Sequence, residues 1–121
     1  MKQILVVDDS TSMRRMVMAS LRQVEDIKFC EASNGLEAIE RIALTPMNLV
    51  ILDLNMPDMH GLEVLKFIRQ HQSFSQIPVI ILTTRGDESS QSEAIAAGVS
   101  LYCTKPFNPS VFAGQVMGLL Q

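Results

Sequence analysis

Residues 48–58 read NLVILDLNMPD and are the most informative segment for the architecture of the chain. Its aliphatic run, residues 49–52, contains no polar residue and leads directly into Asp53, before Met56 and Pro57 interrupt the pattern. An unbroken aliphatic run of this length is typical of a strand covered on both faces, as in a parallel sheet. The segment therefore predicts a buried central strand that delivers an acid to the edge of its sheet.

Strand-like runs alternate with segments of helical length and periodicity along the rest of the chain. Parallel strands need helical crossovers, so this alternation predicts an α/β fold with helices on both faces of a five-stranded parallel sheet. The predicted strands are residues 4–7, 27–32, 49–52, 79–82 and 100–104, and four of the predicted helices are residues 35–43, 61–71, 89–97 and 109–121. A first helix begins at Ser10 or Thr11, and its apolar stripe from Met13 to Val24, which includes Met16, is expected to pack into the core.

Length and composition exclude several classes of protein. The 121 residues fit one domain, residues 1–121, with no output domain in this chain. A net charge of −3 gives no basic surface for nucleic acid. No run approaches the ~18 apolar residues of a membrane helix, and two aspartates end the first apolar run too early for a signal peptide. We therefore expect a cytoplasmic protein that binds neither nucleic acid nor membrane.

Polar residues follow four of the predicted strands at their carboxyl ends. They are Asp8 and Asp9 after the first strand, Asp53 after the third, Thr83 after the fourth and Lys105 after the fifth. Any one of them could be an ordinary loop or capping residue. In open parallel sheets, however, ligands bind beyond the carboxyl ends of the strands.

Together, these residues predict a chemical site. Three converging carboxylates repel one another unless a cation lies among them, and Mg²⁺ suits such oxygen ligands. Beside Mg²⁺, a lysine and a threonine are typical holders of anionic oxygens in phosphoryl transfer. The remaining carboxylate can then act as a nucleophile.

Four motifs carry a family resemblance that covers essentially the whole chain: VVDDS at 6–10, LDLNMPDMHG at 52–61, ILTT at 81–84 and YCTKPF at 102–107. The sequence resembles the receiver domains of two-component response regulators, in particular the single-domain chemotaxis (CheY-like) type. The resemblance implies a flavodoxin-like doubly wound (βα)5 sandwich with strand order 2-1-3-4-5. In that order Cys30 and Cys103 lie on opposite edge strands, roughly 19 Å apart, too far for a disulfide.

The resemblance also implies roles for individual residues. Asp53 would be the phosphoacceptor, and Lys105 and Thr83 would hold phosphoryl oxygens. The Mg²⁺ ligands would be Asp8, Asp9, Asp53 and the backbone carbonyl of Asn55, with Asp8 acting largely through water. Thr83 and Tyr102 would form the switch, and Asn55 and Arg85 would tune the rate at which the acyl phosphate is hydrolysed.

The implied function is a signalling switch that accepts a phosphoryl group from a histidine kinase or histidine phosphotransfer protein. Its only chemistry would be Mg²⁺-dependent self-phosphorylation and self-dephosphorylation, so it would not be a conventional enzyme. The uncharged segment 106–121 predicts an apolar docking face formed by the fourth helix, fifth strand and fifth helix, for a downstream target or a second copy. The alternative to docking is that the chain is a fragment of a longer regulator.

Two other functions use related residues. A haloacid-dehalogenase-type phosphatase also uses Asp, Mg²⁺, Thr and Lys, but that family has Asp-x-Asp on the first strand, whereas Asp8 and Asp9 are adjacent. A flavodoxin-like cofactor binder would need a phosphate-cradling loop after the first strand, which this sequence lacks.

Overall fold

The computed structural model describes residues 1–121, which form five strands and five helices in strict alternation. The strands are β1 (Lys2–Val7), β2 (Ile27–Ala32), β3 (Leu49–Leu52), β4 (Val79–Thr83) and β5 (Leu101–Thr104). The helices are α1 (Thr11–Ser20), α2 (Gly35–Leu44), α3 (Gly61–Gln70), α4 (Glu88–Ala96) and α5 (Pro109–Leu120). All strands are parallel, in the order β2-β1-β3-β4-β5, so the predicted fold and strand order are confirmed.

Each face of the sheet has its own hydrophobic core. Successive strand residues point to opposite faces, so Leu5 and Val7 pack beneath α2, α3 and α4, whereas Ile4 and Val6 pack beneath α1 and α5. The whole of β3 is buried, as its aliphatic sequence predicts. Asp53 therefore leaves a strand that is held from both sides.

Polar side chains cap the start of every helix by accepting a hydrogen bond from a backbone N–H of the first turn. The caps are Ser10, Asn34, His60, Asp87 and Asn108. Each capping residue lies at the end of the loop that connects a strand to the next helix. The caps therefore fix the ends of the loops at the carboxyl edge of the sheet.

The first helix differs from the sequence prediction. It ends at Ser20, so only Val17 and Leu21 of the apolar stripe are buried. The prediction that the methionine stripe packs into the core is wrong for Met16, which is 56% exposed. Met16 instead lines a cleft of about 560 Å³ between α1 and the loop that contains Pro106 and Phe107. Met13 borders the same cleft but is partly buried and packs against the core, as predicted. The physical reason is that α5 already covers this face of the sheet with Phe112, Val116 and Leu120.

Other details agree with the sequence. Gly98 ends the α4 segment with a φ of +93°, a conformation that favours glycine. Cys30 and Cys103 lie in β2 and β5, at opposite edges of the sheet, and both are free thiols, as predicted. None of the five helices combines the length and hydrophobicity that crossing a bilayer requires.

Candidate functional site

The register of neighbouring strands brings three carboxylates together. Val7 of β1 lies opposite Leu52 of β3, and the Asp53 N–H donates to the Val7 carbonyl at 3.0 Å. The residues that follow these two strand ends therefore share one site. Carboxylate oxygens of Asp8, Asp9 and Asp53 all lie within 4.8 Å of one another. Asp8 and Asp53 are buried, whereas Asp9 is exposed.

Lys105 is the one basic residue whose side chain pairs with these acids. The Lys105 N–H donates to the Thr83 carbonyl at 2.8 Å, which extends the β4–β5 pairing, and the Lys105–Pro106 peptide bond is cis. The Lys105 Nζ lies 2.8 Å from Asp8 Oδ2 and 3.5 Å from Asp53 Oδ2. Three carboxylates thus face one ammonium, which leaves an excess of negative charge at the site.

Burial raises the pKa of Asp53 above the usual value for aspartate. The charge of Lys105 lowers that pKa and the charge of Asp8 raises it, while the hydrogen bond from the Asn55 N–H and the nearby Thr83 hydroxyl also lower it. Burial outweighs the groups that lower it, so the pKa of Asp53 stays above its ordinary value.

The loop that follows Asp53 is held against it by Gly61. The Gly61 N–H donates to the Leu54 carbonyl at 2.9 Å. A Cβ at position 61 would lie only 2.2 Å from the Asp53 carbonyl oxygen. The close approach therefore requires glycine, and it fixes the backbone of Asp53 against the start of α3. Asn55 is exposed in this loop, and its N–H lies 3.4 Å from Asp53 Oδ1.

Thr83, Arg85 and Tyr102 lie on the β4–β5 side of the site. Thr83 is fully buried, and its hydroxyl oxygen accepts a hydrogen bond from the Arg85 N–H at 3.3 Å, which leaves the hydroxyl proton for an anionic oxygen. The Tyr102 hydroxyl donates to the Arg85 carbonyl. The Arg85 Nε lies 3.8 Å from Asp87 Oδ1, in an ion pair that is half exposed. One short segment thus contacts both predicted switch residues.

The donor set fits Mg²⁺. It consists of hard carboxylate oxygens with an excess of negative charge, and the Asp9 carboxylate has no hydrogen-bond or ion-pair partner within the chain. Asp8, Asp9 and Asp53 are the residues that would hold the ion. The role of the Asn55 carbonyl as a further ligand stays a prediction.

Three residues with important contacts were not predicted from the sequence. Asp58 accepts hydrogen bonds from the N–H groups of Gly35 and Leu36, both at 3.0 Å, and so ties the loop after Asp53 to the start of α2. Arg69 donates to the carbonyls of Gly98, Ser75 and Ile77. Arg14 binds the backbone of Asp8.

The contacts of Asp58 with the start of α2 and of Arg69 with Gly98 join segments that are far apart in the chain, so no local motif indicates them. The only available signal for Arg14 was its place one turn after the acid pair. The helical periodicity places Arg14 and Arg15 off the apolar stripe of α1, on its polar face, and so gives no sign that Arg14 is largely buried.

Comparison with known proteins gives the family. Residues 4–116 match the family described as the response regulator receiver domain. The chain belongs to the response regulator receiver domain family. It is therefore a CheY-like receiver domain of two-component response regulators, as the motifs at Asp8, Asp53, Thr83 and Lys105 imply.

Relatives within the family are of more than one kind. The chain is 40% identical over 110 residues to the chemotaxis protein CheY1 of Helicobacter pylori, with 90% of this chain and 89% of that protein covered. It is 36% identical to the transcriptional regulatory protein SrrA of Staphylococcus aureus, of which it covers 48%, using 98% of its own length. The chemotaxis response regulator CheY4 of Vibrio cholerae has the same fold, with a TM-score of 0.88, 31% identity and 98% of both chains covered.

Proposed function

We propose that this receiver domain is a signalling switch that accepts a phosphoryl group on Asp53. The observation that carries the proposal is the meeting of Asp53 with two further acids and Lys105 at the carboxyl edge of the sheet. The phosphoryl donor would be a phosphohistidine of a histidine kinase or phosphotransfer protein. In receiver domains generally, this transfer is the event that the fold serves.

The transfer exchanges one bond to phosphorus for another. An Asp53 carboxylate oxygen forms a bond to phosphorus while the bond from phosphorus to the histidine nitrogen breaks, and the nitrogen keeps the electron pair. Bound Mg²⁺ would neutralise negative charge on the oxygens of the transferring group. Lys105, now shared between Asp8 and Asp53, would pair with one phosphoryl oxygen, and the Thr83 hydroxyl would donate to another.

The raised pKa of Asp53 bears on this step. The attacking group is the ionised carboxylate, and the charge of Lys105 favours that form by lowering the Asp53 pKa that burial raises. We infer that Lys105 and a bound metal ion would both favour transfer for this reason, in addition to stabilising the charge of the transition state. Hydrolysis of the acyl phosphate by water would end the signal, and Asn55 and Arg85 lie on the segments that border that reaction.

The central test is phosphorylation by a small acyl-phosphate donor with Mg²⁺, read by intact mass. The native chain should gain one phosphoryl group, and Asp53→Asn should gain none. Asp58→Asn is the matched control, because Asp58 is the other carboxylate between residues 53 and 60. This variant should still be phosphorylated. An equal gain by Asp53→Asn, or no gain by the native chain, would contradict the proposal.

The switch would join Thr83 to Tyr102 through the Arg85 segment. If Thr83 turns toward a phosphoryl oxygen, its hydrogen bond with the Arg85 N–H changes, and the Arg85 carbonyl that holds the Tyr102 hydroxyl moves with it. The chain has one tyrosine and no tryptophan, so tyrosine emission reports Tyr102 alone. Emission should change on phosphorylation in the native chain and not in Thr83→Val. An unchanged emission in the native chain would exclude the switch role of Tyr102.

The output face would be formed by α4, β5 and α5. Ile95 on α4 is 66% exposed, and on α5 Val111 is 58% and Met117 48% exposed. The α5 sequence contains no charged residue to keep this surface hydrated. A downstream protein or a second copy of the chain would cover these side chains. Light scattering with and without beryllium fluoride tests the second case, and a species that stays monomeric at high concentration would leave only the first.

The phosphatase alternative gains no support. Its Asp-x-Asp pattern is absent from the end of β1, and the receiver family accounts for 113 residues of the chain, from 4 to 116. The flavodoxin-like cofactor binder gains no support either. Only three residues separate β1 from α1, which begins at Thr11, so no phosphate-cradling loop follows the strand.

A further inference from the structure

Arg14 is a largely buried arginine whose contacts meet at the acid site. Its Nη1 donates to the Asp8 backbone carbonyl at 2.6 Å, its Nε to Glu31 Oε1 at 2.9 Å, and its Nη2 to Thr11 Oγ1 at 3.2 Å. Only 12% of its side chain is exposed. One guanidinium thus joins the residue after β1, the end of β2 and the first turn of α1.

The Asp8 side chain does not depend on Arg14 for its position. The Asp8 N–H donates to the Ala32 carbonyl at 3.1 Å, and Asp8 Oδ1 accepts from the Ser10 N–H at 2.9 Å. Asp8 Oδ2 accepts from Lys105 at 2.8 Å. These three bonds already fix the N–H and the carboxylate of Asp8. The bond from Arg14 to the Asp8 carbonyl therefore constrains a different part of the chain.

That carbonyl belongs to the peptide plane between Asp8 and Asp9. The plane is rigid, so holding its oxygen also sets the direction in which the Asp9 side chain leaves the backbone. The Asp9 carboxylate has no partner of its own within the chain, yet it lies within 4.8 Å of the other two acids. Its place in the cluster therefore depends on the backbone, and Arg14 is the side chain that holds this part of the backbone.

Glu31 makes the arrangement compatible with a cation site. A free guanidinium beside three acids would repel a divalent cation and compete with it for their oxygens. The Glu31 carboxylate, 2.9 Å from Arg14 Nε, neutralises most of that charge and also directs the guanidinium toward the Asp8 carbonyl. The pair thus supplies rigid geometry with little net charge.

We propose that Arg14, held by Glu31, is a positioning residue that places the Asp9 carboxylate for Mg²⁺ and so sets the affinity of the site for the ion. The inference rests on the proposed function for the role of the three acids. Removing a group that orients a metal ligand commonly weakens metal binding by about 10- to 100-fold. Since Asp9 is one ligand of several, we expect an effect near the lower end, about tenfold.

The test compares two adjacent arginines by titration calorimetry with Mg²⁺. Arg14→Lys keeps the charge but cannot serve three acceptors in the planar geometry of a guanidinium, so its Kd for Mg²⁺ should rise about tenfold. Arg15→Lys is the matched control, because Arg15 is exposed and makes no side-chain hydrogen bond or ion pair. Its Kd should stay at the native value. An unchanged Kd in Arg14→Lys would overturn the proposal.

Two further measurements separate positioning from general damage to the fold. In the absence of metal, the backbone amide resonance of Asp9, which shares the peptide plane with the Asp8 carbonyl, should shift in Arg14→Lys and not in Arg15→Lys. The rate of phosphorylation of Arg14→Lys should need more Mg²⁺ for half-saturation and then reach within about twofold of the native maximum. A lower maximal rate with unchanged half-saturation would overturn the proposal.

A second variant covers the case in which Arg14→Lys folds poorly. Glu31→Gln leaves Arg14 in place but removes the charge that directs it, and its Kd for Mg²⁺ should rise less than that of Arg14→Lys. A native Kd in Glu31→Gln would overturn the part assigned to Glu31. If the native chain bound Mg²⁺ but took up no phosphoryl group, the proposed function would fail while the calorimetry still decided the role of Arg14.

Discussion

Replacing Gly61 by alanine should destabilise the protein through a steric clash with the phosphoacceptor loop. The new Cβ would lie 2.2 Å from the Asp53 carbonyl oxygen and 2.8 Å from the Leu54 Cα. Restoring even a 3.0 Å separation between the new Cβ and this oxygen requires a movement of about 0.8 Å. The oxygen and the Leu54 Cα are backbone atoms, so no flexible side chain can move aside to relieve the clash. Overpacking of this kind typically costs about 1–3 kcal/mol, and we expect about 3 kcal/mol because the obstacle is backbone.

Gly114→Ala is the matched control for the same chemical change. Gly114 lies inside α5, and a Cβ there would have no atom within 4 Å. Alanine should therefore raise the free energy of unfolding by roughly 0.5–1 kcal/mol, since glycine is the poorer helix former. One methyl group is thus expected to act with opposite sign at positions 61 and 114.

Urea unfolding monitored by circular dichroism measures both changes. At this chain length 3 kcal/mol corresponds to a drop in Tm of roughly 10 °C, so thermal melting gives an independent reading. A Gly61→Ala variant within 0.5 kcal/mol of the native chain would refute the steric argument. Its rate of phosphorylation should also fall, because any relief of the clash moves the backbone of Asp53.

Three charged residues, Asp53, Asp58 and Arg69, are expected to affect stability in different ways. Without metal at pH 7, Asp53→Asn should raise the urea midpoint. Burial raises the folded pKa of Asp53, so the protonated carboxyl favours the folded state at a pH below the unfolded pKa of about 3.9. This contribution to stability is lost as pH rises through the folded pKa, and the neutral amide of asparagine avoids the loss. Saturating Mg²⁺ should raise the urea midpoint of the native chain more than that of Asp53→Asn. An equal rise in both would contradict a Mg²⁺ site that includes Asp53. Desolvation would raise the pKa of Asp58, but N–H groups at the start of α2 lower it overall. Asp58→Asn should therefore lower the urea midpoint at pH 7, with a deficit that shrinks as pH falls through the folded pKa; a deficit independent of pH would argue against this role. Arg69→Met should cost about 3 kcal/mol through lost charged hydrogen bonds, whereas Arg22→Met, at an exposed position, should cost under about 0.5 kcal/mol. Equal urea midpoints for the two would refute this account of Arg69.

Local sequence accounted for most of the fold. Unbroken aliphatic runs identify β1, β3 and β4 because a strand covered on both faces needs apolar side chains at every position. Periodicity placed the helix starts within a residue or so, since capping and turn residues are short-range signals. The end of α1 and the exposure of Met16 were missed, because which part of a helix is covered depends on its neighbours and not on its own sequence.

The positions of the site residues along the chain already indicate which of them reach the carboxyl edge of the sheet. Asp8, Asp53 and Lys105 each follow a strand and Thr83 ends one, and parallel strands must present those ends together. The strand order itself entered with the family resemblance.

How the acids are held in place depends on long-range packing that the sequence does not reveal. The hydrogen bonds from Arg14 to the Asp8 carbonyl and from the start of α2 to Asp58 join segments that local propensity treats as independent. Their geometry depends on how α1 and α2 pack against the sheet. Hydrophobic periodicity records which face of an element is buried, but it carries no information on which polar groups meet once the faces are packed.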